Sequence, residues 1–132
     1  MRLVLDTNVL IAAIAADGLC RDLVRVRIRP HAIITSEPLL TELRNTLRAK
    51  FKIVPAELRL LSLLHERAEV VIPTSLGRRV CRDPDDDVVL ATALSGRADL
   101  IVTGDNDLLV LKQFRGIRIL SPRRILEILH AK

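Results

Sequence analysis

Short unbroken apolar runs alternate with longer stretches in which apolar residues return every three or four positions. The runs are Arg2-Leu3-Val4-Leu5, His31 to Thr35, Glu69 to Pro73, Leu100-Ile101-Val102-Thr103 and Ile117-Arg118-Ile119-Leu120. Each predicts a strand buried on both faces. The first intervening stretches predict helices over Val9 to Ala16 and, after a turn at Asp17-Gly18, over Leu19 to Arg29, ended by Pro30. Ser36 is placed to cap a third, with Glu37 and Pro38 in its first turn and Leu39, Leu43 and Leu47 on its buried side. Others run from Pro55 to about Arg67, from Val88 to about Ser95 before Gly96, over Leu108 to Phe114, and from Ser121-Pro122 to the end. Thr74 to Arg82, with Gly77, has the composition of a loop. Strand–helix alternation with continuous apolar strands predicts an α/β fold: a parallel sheet of about five strands in a single domain, residues 1–132.

Composition narrows the chemistry. Of 132 residues 49% are hydrophobic and only 2% aromatic, without Trp or Tyr, so no aromatic platform exists to stack bases. No apolar run reaches membrane-spanning length, and Asp6 interrupts the first one too early for a signal peptide. Cys20 and Cys81 lack metal or redox spacing and are expected to be reduced thiols of a cytoplasmic protein. The net charge is +5, from 21 basic and 16 acidic residues. Half of those acids fall at positions nominated below for one pocket and its rim. A basic exterior around an acidic hollow suits a polyanion that meets a cation at its centre.

The pocket starts from Asp6, at the carboxyl end of the first strand, where ligands bind in open α/β sheets. Asp105 and Asp107 follow the fourth strand in the same way, Asp105 as the stronger candidate and Asp107 as an outer ligand. In Asp83-Pro84-Asp85-Asp86-Asp87, Asp83 fits an N-cap with Pro84 at N1. Asp85 and Asp86 suit the helix dipole or the rim. Asp87 stands apart, because it shares a helical stripe with Leu90, Ala91, Leu94 and Ala98 and so brings a charge to an apolar face. Glu42 borders the Leu39/Leu43/Leu47 stripe, a position more often solvated than functional, and Glu37 suits a cap. Thr7, Asn8 and Thr103 can orient the neighbouring carboxylates. His31, His65 and His130 are scattered and receive no role.

Converging carboxylates repel one another unless a cation joins them. Mg²⁺ and Mn²⁺ prefer such oxygen ligands, and either would lower the pKa of a bound water and offset charge on a phosphoryl group. No glycine-rich phosphate loop and no Ser-His-Asp or Cys-His set competes. The residues point to a metal-dependent enzyme acting on a phosphate backbone.

Three blocks carry a resemblance. Leu3-Val4-Leu5-Asp6-Thr7-Asn8-Val9-Leu10, the segment from Arg82 to Ala93, and Val102-Thr103-Gly104-Asp105-Asn106-Asp107-Leu108-Leu109 resemble, in order and spacing, the conserved blocks of PIN domains. They are most similar to the VapC-like ribonucleases of bacterial toxin–antitoxin systems. The resemblance implies a three-layer α/β/α sandwich and Mg²⁺- or Mn²⁺-dependent endoribonuclease activity. It places the catalytic acids at Asp6, Glu42, Asp87 and Asp105, with Asp107 as a further acid, and so raises Glu42 above its positional standing. It also implies a homodimer and an antitoxin partner. With no aromatics, RNA would be held through phosphate and shape by basic stripes: Arg21, Arg25 and Arg29 on one helix, Arg44, Arg48 and Lys52 on another.

Three rivals are distinguishable. A haloacid-dehalogenase-like phosphotransferase needs a second Asp where Asn8 stands, and a receiver-like module needs an acidic pair after the first strand. The third is a PIN-fold RNA- or protein-binding scaffold that lacks toxicity.

Overall fold

The structure, a computed structural model, describes residues 1–15, 18–50, 62 and 64–130, apart from the side chains of residues 15, 25, 26, 50 and 130. The expectations for Asp17, for Lys52 and for most of the helix from Pro55 lie outside these residues; its end, α4, is helical at 64–67.

The elements are β1 (Arg2–Leu5), α1 (Thr7–Ala15), α2 (Leu19–Asp22), β2 (Ala32–Ser36), α3 (Glu37–Lys50), β3 (Glu69–Val71), α5 (Pro84–Ser95), β4 (Leu100–Val102), α6 (Asn106–Leu109), β5 (Gln113–Phe114), β6 (Ile117–Leu120) and α7 (Pro122–His130). The sheet order is β3-β2-β1-β4-β6-β5, parallel except for the last pair. The sheet therefore has six strands rather than five. The sixth is β5, in a segment whose apolar residues had predicted helix; the chain there turns back at Arg115-Gly116 and pairs antiparallel with β6. The helix expected over Leu19 to Arg29 is shorter and widens into a π turn over Leu23–Arg27. Ser36 ends β2 directly before the first residue of α3, and its hydroxyl lies 2.8 Å from that of Thr92.

Strand pleating sends alternate residues to opposite faces, and each face has its own core. Leu3 and Leu5 of β1 join Leu100 and Val102 of β4 against Val9 and Leu10 of α1, Leu43 and Leu47 of α3, and Ile125 of α7. Val4 and Ile101 turn the other way, against Val89, Leu90 and Ala93 of α5 and Leu108 of α6. Helices thus cover both faces of the central strands β1, β2 and β4, which explains why those are apolar without alternation. Two strands depart from the expected double burial: β3, at the sheet edge, is largely exposed, and β6 alternates, with Arg118 exposed. Among the described residues no helix is long and apolar enough to cross a membrane.

Gly96 ends α5 where it crosses β2. A Cβ there would run into the Ile34 side chain, itself only 1% exposed. Gly96→Ala should therefore destabilise the fold by about 1–3 kcal/mol through overpacking, read as a lower Tm in thermal unfolding.

The strand order reverses between β1 and β4, since β2 and β3 lie to one side and β6 and β5 to the other. At such a switch point the loops leaving the two strands part and open a crevice. Asp6 leaves β1 there, and Thr103-Gly104-Asp105 leaves β4.

Candidate metal centre

Asp6 is 6% exposed and its carboxylate is held from several directions. Oδ1 accepts the Thr7 amide at 2.7 Å, and Oδ2 accepts the Thr103 hydroxyl at 2.7 Å and the Asn8 side-chain amide at 3.2 Å. Thr103 Oγ1 also accepts the Asp105 amide at 3.0 Å, and Asn8 Oδ1 accepts the Gly104 amide at 3.1 Å. Thr7, Asn8 and Thr103 thus tie the two strand ends together and fix the orientation of Asp6. Burial raises the Asp6 pKa above the ordinary carboxylate value, and the nearby Asp105 adds to it against those donors.

Asp105 caps α6, accepting the Asp107 amide at 2.9 Å. Its carboxylate, that of Asp107 and that of Asp86 each offer an oxygen, all within 4.8 Å of one another. Asp107 also accepts the Arg82 guanidinium at 2.8 Å. Asp86 is the buried member, 7% exposed, and its Oδ2 finds no hydrogen-bond partner among the described residues. Burial pushes its pKa up to about 7, helped by any proton it shares with the Asp105 carboxylate and by repulsion from Asp105, Asp83 and Asp6.

Glu42 comes from α3, half-buried, with Thr7 Oγ1 donating to it at 3.3 Å. Burial raises its pKa, and the charges of Asp6, Asp85 and Asp83 push in the same direction. Asp83 caps α5 by accepting the Asp85 amide at 2.9 Å, with Pro84 at the first helical position, as its spacing predicts.

Asp87 does not join the cluster. Its carboxylate accepts the Cys81 amide at 2.8 Å and the Val80 amide at 3.1 Å. Against the desolvation that burial brings, those amides and the Cys81 thiol hold its pKa below the usual range, and Arg79 adds to this. The polar partners that its position on an apolar stripe demands are found in the backbone amides of the preceding loop. Asp86, assigned to the rim from sequence, holds the place expected of Asp87. The signal was ambiguous because α5 is buried on nearly every side from Val89 to Ala93. Asp86 has Val89, Leu90 and Ala93 at helical spacing below it, a stripe as apolar as that of Asp87. Sequence reasoning also passed over Arg82.

The basic stripes are not equivalent. Arg21 donates to the Ala13 and Ile14 carbonyls near the end of α1, a helix-closing role. Arg44 and Arg48 are exposed on α3, and the Arg25 side chain lies outside the described residues.

The donor set fits a hard divalent cation. It consists of carboxylate oxygens alone, clustered to the reach of one ion whose ligands stand about 2.0–2.1 Å away, and one of those oxygens is buried without a donor.

A family model described as PIN domain matches residues 2–107. Among proteins of curated function, none matches in sequence. In fold the chain is similar to one in the structure of VapBC2 from Rickettsia felis bound to a DNA fragment from its promoter. That match has TM-score 0.64 and 16% identity over 92% of this chain and 98% of the other. It is also similar to a chain of VapBC-1 from nontypeable Haemophilus influenzae, with TM-score 0.61 and 17% identity over 93% and 99%. A chain of DNA-bound VapBC from Salmonella typhimurium matches at TM-score 0.54 and 22% identity over 92% and 98%. With the family model spanning both strand ends that form the acidic crevice, the chain belongs to the PIN domain family.

Proposed function

We propose that this protein is a Mg²⁺- or Mn²⁺-dependent endoribonuclease, with Asp6, Asp86, Asp105 and Asp107 as the carboxylates of its metal centre and Glu42 as a further catalytic acid. The observation that carries this reading is the buried Asp86 carboxylate, with one oxygen lacking a donor, packed against Asp105 and Asp107 at the sheet's switch point. A cation bound there supplies Lewis acidity, acidifying water and offsetting charge on the phosphate. Asp6, clamped by Thr7, Asn8 and Thr103, keeps its oxygens fixed toward the crevice rather than free to rotate. Glu42, with its raised proton affinity, is suited to take a proton from the attacking water. Arg44 and Arg48, exposed on the helix that carries Glu42, are outer contacts for the RNA backbone.

The physiological role we infer is that of the toxin in a type II toxin–antitoxin pair: a cytoplasmic homodimer held by a cognate antitoxin. The fold similarity to VapBC chains supports this reading.

The experiment is cleavage of a mixed cellular RNA pool by purified protein with Mn²⁺, with EDTA, and with Asp6→Asn. The expected result is cleavage with Mn²⁺ alone, lost in both controls. Cleavage that survives in the variant would remove the assignment. A protein that binds Mn²⁺ yet cuts nothing would favour the scaffold reading.

A further inference from the structure

Beside the acidic crevice lies a second concavity, of about 470 Å³, between the start of α3, the front half of α5 and the loop that follows β3. The apolar part of its lining is made by Pro38, Pro73, Val88 and Ala91, and Asp87 and the loop from Thr74 to Gly77 complete it. Its rim carries Arg78 and Arg79, both exposed. Arg78 has no ion-pair partner among the described residues, and Arg79 acts on Asp87 only through its charge. The loop is fixed in place. Asp87 holds the Val80 and Cys81 amides, and Arg115 donates to the Leu76 carbonyl at 3.4 Å.

Asp87 therefore sets the cationic rim at a defined offset from Asp86, the adjacent residue of α5 in the acidic cluster. A partly apolar lining under a cationic rim matches one unstacked nucleotide: a base face below and phosphates above. A double helix does not fit this chemistry, because its bases are stacked and paired and only its backbone is offered. We infer that this groove seats a nucleotide of single-stranded RNA next to the phosphate that is cut, with Arg78 and Arg79 holding the flanking phosphates. The inference rests on the nuclease reading above and adds to it a binding groove and two positioning residues.

The test is binding of a short fluorescent single-stranded RNA of mixed sequence, in EDTA so that nothing is cut, across a salt series. Arg78→Ala/Arg79→Ala is compared with wild type and with Arg97→Ala/Arg118→Ala, which removes the same charge from the amino ends of β4 and β6. Losing two phosphate contacts should flatten the log–log salt dependence by about 1.4, at roughly 0.7 per contact on a single strand. Kd should rise with it, and cleavage in Mn²⁺ should lose kcat/KM through KM. The matched duplex should bind wild type more weakly than the single strand. Because Arg79 faces Asp87, Arg78→Ala alone is read beside the double variant, and Tm checks that both fold. If wild type cleaves RNA but the rim variants match the Arg97/Arg118 control in Kd and salt slope, the groove assignment is overturned and the nuclease reading stands. If wild type neither binds nor cleaves RNA, both are overturned.

Discussion

Asp86→Asn is expected to abolish RNA cleavage, whereas Asp87→Asn should chiefly destabilise the protein. Asp86 supplies an oxygen to the carboxylate cluster and has no hydrogen-bonding duty at its buried Oδ2. Removing its charge should cost more than the 10- to 100-fold typical of outer-sphere partners, so a loss above about 100-fold is expected. The same change relieves a buried like-charge conflict with Asp105, so the metal-free variant should melt higher than wild type at pH 8. Asp87 is the reverse case. Asn can accept one of the Val80 and Cys81 amides but turns its NH₂ toward the other. The stranded donor should cost about 1–3 kcal/mol and loosen the loop, while Mn²⁺ binding persists. Kinetics and thermal melts of the two variants decide the matter. If Asp87→Asn loses the Mn²⁺ response and Asp86→Asn keeps it, the centre is wrongly assigned.

The second large effect concerns the metal and pH together. Without a cation, Asp86 has its pKa raised from 3.8 to about 7 by burial and by neighbouring carboxylates. The folded chain then binds more protons than the unfolded one across that window. Stability of the metal-free protein should accordingly be highest near pH 4, as far as this group is concerned, and fall as pH rises through about 7. Mn²⁺ reverses the trend, because it needs the ionised carboxylates and binds only the native state. A hundredfold excess over Kd should stabilise by about 2.7 kcal/mol, on the order of 10 °C in Tm for a domain of this size. The Tm gain should be small at pH 5 and grow toward pH 8. A melting curve indifferent to millimolar Mn²⁺ at pH 8 would sink the metal centre.

The placement of Asp87 suggests how the two ends of α5's acidic turn divide their work. Asp83 caps the helix, Asp86 faces the crevice and Asp87 anchors the loop that carries Arg78, Arg79 and Arg82. Arg82 reaches back to Asp107, so the loop touches the acidic cluster from outside as well. Disturbing Asp87 should therefore alter RNA affinity through the loop without touching a ligand.

By itself the sequence determined the architecture and the neighbourhood of the site. Continuous apolar strands can only be buried on both faces, so a helix-covered parallel sheet follows from composition and order alone. An acid directly after a buried strand must lie at the sheet's carboxyl edge, which located Asp6 and Asp105 without coordinates. Asp83-Pro84 announced its helix because capping is a local interaction between near neighbours. The tertiary structure alone decided which carboxylate of Asp85-Asp86-Asp87 faces the crevice. A helix buried on most sides has no single apolar stripe, so periodicity cannot choose between adjacent residues. The choice was made by a loop that brings the Val80 and Cys81 amides to Asp87 and leaves Asp86 beside the acids that follow β4. The same holds for β5, whose two residues are strand only because β6 lies beside them, and for Arg21, whose guanidinium reaches back to carbonyls near the end of α1. Such long-range contacts leave no periodic trace in the chain, because they depend on which segments meet in space.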